Sequence, residues 1–264
     1  MRTLTTLLLL AVIPACMAQT YADLFDLAQK YSTEGKYMKA STYYKRALLA
    51  TTNENEQLQC LTNMGYTLNM TGQKVAASQA YANALKIDST SLPLLMQRAG
   101  LLLETDSAQA AIECYNKVEK AMPQNRDVLF FRAYAYTLTG KYKEAKRDYI
   151  KLLGKTPDDY QARLGLAMLY QKEGNTNESL MLLETMIEEN PKDANLYLVR
   201  CNMELEQKQY ELALQDIEKA IEIEPTRASH HTLKAEILDA LGRKATAKRS
   251  RNTATKLAVS QKEP

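Results

Sequence analysis

A period of 34 residues runs through this chain and limits what it can fold into. Steps of that length from Ala133 fall on Ala99, Ala167, Cys201 and Ala235, all small. From Ala145 they reach Ala111, Ser179, Ala213 and Ala247, again small. Tyr149 is matched by Tyr115, Leu183 and Ile217, and Pro157 by Pro123, Pro191 and Pro225. Several positions held in phase over so many steps mean that one supersecondary unit recurs along the chain.

The central unit, Arg126–Asp159, shows what that unit is. Leu129, Arg132, Ala133 and Tyr136 occupy i, i+3, i+4 and i+7, one face of a helix. A second helix carries Ala145, Tyr149 and Leu152 on one face. Gly140 sits where the first helix must end, because a left-handed residue there costs glycine no Cβ clash. Pro157 closes the second helix, since it lacks the N–H a helix needs and restricts the residue before it. Ala133 and Ala145 are small where the helices cross, so the backbones approach closely.

Such a hairpin does not stand alone. Each large apolar side chain buried contributes roughly 1.5–3 kcal/mol, whereas ordering the backbone costs about 1–2 kcal/mol per residue. A few buried residues per hairpin fall short, so each hairpin completes its core against neighbours. Two earlier units supply Leu61, Met64, Gly65, Leu68, Gly72, Ala77, Tyr81 and Ala84, and Leu24, Leu27, Ala28, Tyr31, Gly35, Ala40, Tyr44 and Ala47.

These residues resemble the tetratricopeptide repeat (TPR) family, whose order of large, large, small, aromatic, small, aromatic, small and proline positions they follow from Tyr21 to Lys256. The resemblance implies an all-α fold, an α-solenoid coiled as a right-handed superhelix of helical hairpins. The expected division is a signal peptide over 1–18, repeats over 21–54, 58–91, 92–125, 126–159, 160–193 and 194–227, and a seventh, C-terminal capping repeat over 228–264. The chain departs from the family in places. It contains no Trp, Glu204 replaces a large residue, Arg163 stands at an apolar position, and Thr105-Asp106-Ser107 replaces the turn glycine of the third repeat. Local looseness is expected at those points.

Arg2, an apolar run from Leu4 to Ile13 and small residues around Ala15–Ala18 have the form of a secretory signal, too short to remain as a membrane span. Cleavage after Ala18 would leave Gln19 first. Alternatively, Ile13-Pro14-Ala15-Cys16 has the form of a bacterial lipobox, and a lipid on Cys16 would tether the array to a membrane. The chain is therefore expected to be exported, either to the periplasm or to a lipid-anchored position at the cell envelope. Cys60, Cys114 and Cys201 lie in different repeats without CxxC spacing and read as buried small residues. The formal charge of +3, lower by one without Arg2, sets up no field that would draw nucleic acid.

Catalytic and cofactor patterns are missing from the sequence. No GxGxxG or Walker motif is present. The adjacent His230 and His231 point in different directions on a helix and cannot share a metal; His231 is expected at the core-facing position. No cofactor is implied. The basic residues Lys248, Arg249, Arg251, Lys256 and Lys262 suit the polar outer face of a terminal repeat, or contact with an acidic partner or anionic lipid.

The resemblance places the inner, concave groove one and five residues beyond the first large core residue of each repeat. The apolar or aromatic members there are Phe25, Tyr66, Met96, Phe130, Tyr134, Leu164, Met168 and Leu198, with Asn202 able to hydrogen-bond a peptide backbone. Contiguous exposed apolar surface marks interaction sites, though such residues can instead pack between adjacent helices. The function expected is a noncatalytic scaffold that holds a protein or peptide in this groove, in bacterial envelope assembly or secretion. The alternatives are self-association and, less favoured, an enzyme site shared between repeats.

Overall fold

The computed structural model describes residues 19–260, and within them every regular element is a helix. The segment carrying Cys16 and the terminal Lys262 lie outside the described residues. The chain divides into two compact units, Met1–Pro123 and Gln124–Pro264. Unit 1 holds α1 (Tyr21–Thr33), α2 (Tyr37–Leu49), α3 (Glu54–Met70), α4 (Lys74–Ile87), α5 (Leu92–Glu104) and α6 (Ala108–Ala121). Unit 2 holds α7 (Arg126–Leu138), α8 (Tyr142–Leu153), α9 (Tyr160–Glu173), α10 (Thr176–Glu189), α11 (Ala194–Glu206), α12 (Tyr210–Ile223), α13 (Ala228–Ala240) and α14 (Lys244–Ser260). Within each unit every helix packs on the next in sequence, so each unit is a stack of hairpins.

Local chemistry sets the boundaries. The first helix of most hairpins opens on a side chain that accepts from an otherwise unpaired N–H. Thr20 does so for α1 in a reciprocal capping box with Asp23, Asn53 for α3, Asn125 for α7, Asp159 for α9 and Asp193 for α11. The turn into the second helix is uniform. Gly140 takes a left-handed φ of 72°, and the Lys141 N–H donates to the Tyr136 carbonyl at 2.9 Å.

The third and sixth hairpins make the same turn without glycine. Asp106 and Lys208 adopt φ of 54° and 60°, and the Ser107 and Gln209 N–H groups donate to the Leu102 and Glu204 carbonyls, both at 2.8 Å. The looseness expected at Thr105-Asp106-Ser107 is therefore not a change of geometry. Stacking of the flanking helices imposes the left-handed residue, at a steric cost of roughly 1–2 kcal/mol.

The in-phase small residues lie where the helices cross. Ala99, Ala111, Ala133, Ala145, Ala167, Ala213, Ala235 and Ala247 are all fully buried, as are Ser179 and Cys201 in the same register. Where the small residue is polar, its hydrogen has a partner: Ser179 Oγ donates to the Ala167 carbonyl at 2.7 Å and Cys201 Sγ to the Ala213 carbonyl at 3.3 Å. The large residues Tyr44, Tyr115, Tyr149, Leu183 and Ile217 fill the space these leave. Gly165 illustrates how closely helices meet, because a Cβ there would lie 2.6 Å from the Tyr149 hydroxyl.

Burial extends one residue further round α3, α5, α7, α9, α11 and α13 than the sequence pattern suggests. Cys60, Leu94, Val128, Ala162, Leu196 and His230 each precede by one the position that the pattern assigns to the first large core residue, and all are buried. His231, expected in the core, is only half-buried and its Nε2 lies 3.0 Å from the Pro225 carbonyl; the buried histidine is His230. Within a unit, a first helix that follows another hairpin buries its face against both that hairpin and its own second helix, so the face is wider than one stripe.

Candidate partner-binding site

The first helices of unit 2 lie side by side through polar ties at their ends. The Arg126 guanidinium on α7 donates to both carboxylate oxygens of Asp159 at 2.8 and 3.0 Å, and to Gln161 at 2.8 Å. This bidentate pairing raises the Arg126 pKa and lowers that of Asp159. Between α9 and α11, Asn195 Nδ2 donates to the Tyr160 hydroxyl at 3.1 Å and Gln171 Nε2 to Glu206 at 3.1 Å. One wall thus presents residues from α7, α9 and α11 in register.

The candidate residues on that wall separate into two classes. Phe130, Leu164 and Leu198, one residue beyond the core position, are half-buried and join the core clusters. Phe130 stands edge-on to Tyr149, ring centroids 6.2 Å apart, with the Arg126 guanidinium 5.1 Å over its ring. Four residues on, Tyr134 is 43% exposed, Met168 is 47% exposed and Asn202 is also exposed. The first class holds helices together, and the second is free to meet another molecule.

Unit 1 shows the same division. Phe25 is half-buried, stacked on Tyr21 at 5.4 Å and edge-on to Tyr44 at 5.4 Å, and Met96 is half-buried. Tyr66 is 45% exposed and makes an edge contact with Tyr37 at 6.0 Å. Here too the exposed member lies five residues beyond the large core residue.

Two depressions open on the wall of unit 2, and Asn202 borders both. The first, about 160 Å³, lies between α9 and α11 and is edged by Met168, Lys172, Val199 and Met203. The second, about 350 Å³, lies between α11 and α13 and is edged by Leu198, Asn195, Arg227, Ser229, His230 and Leu233. The structure therefore brings Met168 together with Asn202, and Leu198 with Asn202. Buried His230 lines the second depression, with Nδ1 lacking a hydrogen-bond partner among the described residues. Burial holds its pKa below the usual histidine value, against an opposing pull from Glu224.

The periodicity did not reveal the charged pairs inside the hairpins. Arg132 on α7 and Asp148 on α8 form a buried bidentate pair at 2.6 and 2.9 Å. Arg200 on α11 and Asp216 on α12 repeat it at 2.7 and 2.7 Å. The signal was present as an Arg-to-Asp spacing of 16 that recurs two repeats later. Arg163, also at an apolar position, reaches Glu189 on α10. The three cysteines are buried free thiols, and burial pushes Cys60 up to about 11 and Cys201 up to about 12. Among the described residues no group of three or more potential ligands could hold a metal ion, and no helix is long and apolar enough to cross a membrane.

The Tetratricopeptide repeat family profile matches residues 136–200, and a second profile of the same description matches 202–227. A solved tetratricopeptide repeat protein from Parabacteroides merdae superposes with a TM-score of 0.75 at 26% identity, over 91% of this chain and 94% of that one. YrrB, whose structure is described as that of a TPR protein with an unusual peptide-binding site, matches with a TM-score of 0.51 at 20% identity, over 69% of this chain and 92% of its own. DnaJ homolog subfamily C member 7 of Homo sapiens is 26% identical over 63% of this chain and 37% of its own length. The chain spans between 19% and 45% of the length of the curated relatives it matches.

Proposed function

We infer, since the chain belongs to the tetratricopeptide repeat family, that it is a noncatalytic scaffold and that unit 2 holds a protein or peptide partner along its first-helix wall. The observation that carries this reading is the exposure of Tyr134, Met168 and Asn202 beside half-buried Phe130, Leu164 and Leu198. Large apolar groups left open in register, next to depressions of peptide side-chain size, suit an amphipathic or extended segment. Met168 and Tyr134 adapt to varied side chains, and Asn202 offers both a donor and an acceptor to a backbone. Tyr66 gives unit 1 a similar exposed aromatic. The peptide-binding description of YrrB agrees with this reading.

The proposed setting is the cell envelope, in assembly or secretion. Its support is the amino-terminal sequence, with Arg2, the run Leu4 to Ile13 and the two cleavage patterns around Cys16 and Ala18. Buried thiols of raised pKa are poor nucleophiles and tolerate an oxidising compartment. The mass of the mature amino terminus distinguishes Gln19 from a lipidated Cys16.

A photoreactive residue at Tyr134, compared with one at Ile150 on α8, tests the wall directly. Both positions are open, 43% and 51% exposed. A discrete adduct from 134 and none from 150 is expected, and equal labelling from both would defeat the proposal. An adduct of twice the chain mass would assign the wall to self-association.

A further inference from the structure

The opposite side of α11 carries a second, chemically different cavity. Glu204 follows Asn202 by two residues, about 200° round the helix, and so faces away from the first-helix wall. It lines a space of about 290 Å³ among α10, α11 and α12, together with Leu180, Glu184, Arg200, Leu212 and Asp216. Glu204 is 6% exposed, and its Oε2 is buried without a hydrogen-bond partner among the described residues. A buried carboxylate oxygen with unused acceptor capacity is costly unless something fills it.

We propose that this cavity binds a lysine side-chain ammonium of a partner polypeptide. The charge balance favours a cation: Glu184, Glu204 and Asp216 stand against Arg200 alone. Arg200 is already engaged, because both Asp216 oxygens accept from it at 2.7 and 2.7 Å. The buried unpartnered acceptor is Glu204 Oε2, and in a space of about 290 Å³ a compact ammonium on a slender stem meets it more readily than the broad planar guanidinium. Leu180 and Leu212 supply apolar walls for the methylene stem. A dication is disfavoured by the Arg200 guanidinium and by the lack, among the described residues, of a ligand set that could hold a metal.

The charged groups facing Glu204 are Arg200 on its own helix, Asp216 on α12 and Glu184 across the cavity on α10. An ammonium binds the ionised carboxylate, so occupancy rises as Glu204 loses its proton. Burial and the Asp216 charge move that event up to about 7, with Arg200 opposing.

The experiment titrates the full chain with the tripeptide Gly-Lys-Gly, read by NMR shifts, beside its norleucine analogue and calcium ion. Shifts are expected at residues 180, 184, 204 and 212, tighter at about pH 8 than at about pH 6. Glu204→Gln keeps the shape and removes the charge, and is expected to weaken binding about tenfold or more. If that variant fails to fold, Glu184→Gln is read instead, with a smaller loss in the same direction. Equal binding by the norleucine peptide, affinity unchanged in the Gln variant, shifts at Met168 and Asn202 instead, or displacement of the peptide by calcium would each overturn the assignment.

Discussion

Hairpins four and six carry the same charged pair at the same place, yet one is sealed and the other open. In hairpin four the Arg132 and Asp148 side chains are 4% and 1% exposed, and the guanidinium lies 5.9 Å from the Tyr136 ring. In hairpin six, 68 residues on, the Arg200 side chain is 24% exposed and Glu204 stands where the tyrosine was. A cavity opens beside it. The turn differs likewise, with Gly140 in one and Lys208 in the other, both at positive φ. One hairpin spends its polar residues on its own stability, and the other leaves acceptor capacity free. Departure from a repeat's pattern thus points to surface that has something else to do.

The largest test of this contrast is to remove the acid from each pair. Asp148→Ala takes the carboxylate away from a buried guanidinium and is expected to cost about 3–5 kcal/mol in urea unfolding. Asp216→Ala is expected to cost about half as much, since Arg200 reaches water. Equal losses would show that the openness of hairpin six has no energetic meaning.

Next in size is the pH response of Glu204. Its carboxyl, ordinarily near 4.5, is pushed up to about 7 by burial and by Asp216. Between those values the folded chain keeps a proton that the unfolded chain has released, so stability falls as pH rises through the window. The loss is on the order of 3 kcal/mol for this group. Glu204→Gln should flatten the profile there, and an unaltered slope would break the contrast.

The smallest effect lies in the turn. Lys208→Gly relieves the left-handed strain and should raise stability by roughly 0.5–1 kcal/mol, while Gly140→Lys should lower it by roughly 1–2 kcal/mol. Thermal melting of the two variants reads both. A destabilising Lys208→Gly would mean that the lysine side chain, not the backbone, decides the turn.

Legibility followed the same line. Ala133, Ala145 and Tyr149 were readable because packing repeats with the 34-residue period, and Gly140 because a left-handed turn selects glycine. The extra buried position occupied by Leu196 and His230 was not, since burial against a preceding hairpin leaves no mark on single-helix periodicity. Arg132 fell on the predicted core face, but its partner Asp148 is 16 residues away on another helix. Arg98 and Cys114 in unit 1 keep the same spacing with a thiol in place of the acid, the guanidinium 3.9 Å from Sγ. In the candidate wall, the split between half-buried Phe130 and exposed Tyr134 depends on how closely first helices approach, which residue type alone does not encode.

The central claim is that the exposed residues of the first-helix wall serve a partner and not the core. The measurement that meets it most directly is the double substitution Tyr134→Ser with Met168→Ser, scored for urea stability and for affinity toward the partner crosslinked from position 134. Stability within about 1 kcal/mol of the parent, each surface change contributing about 0.5, with partner affinity reduced at least tenfold, is the predicted result. A sharp fall in stability with affinity per folded molecule unchanged would contradict it.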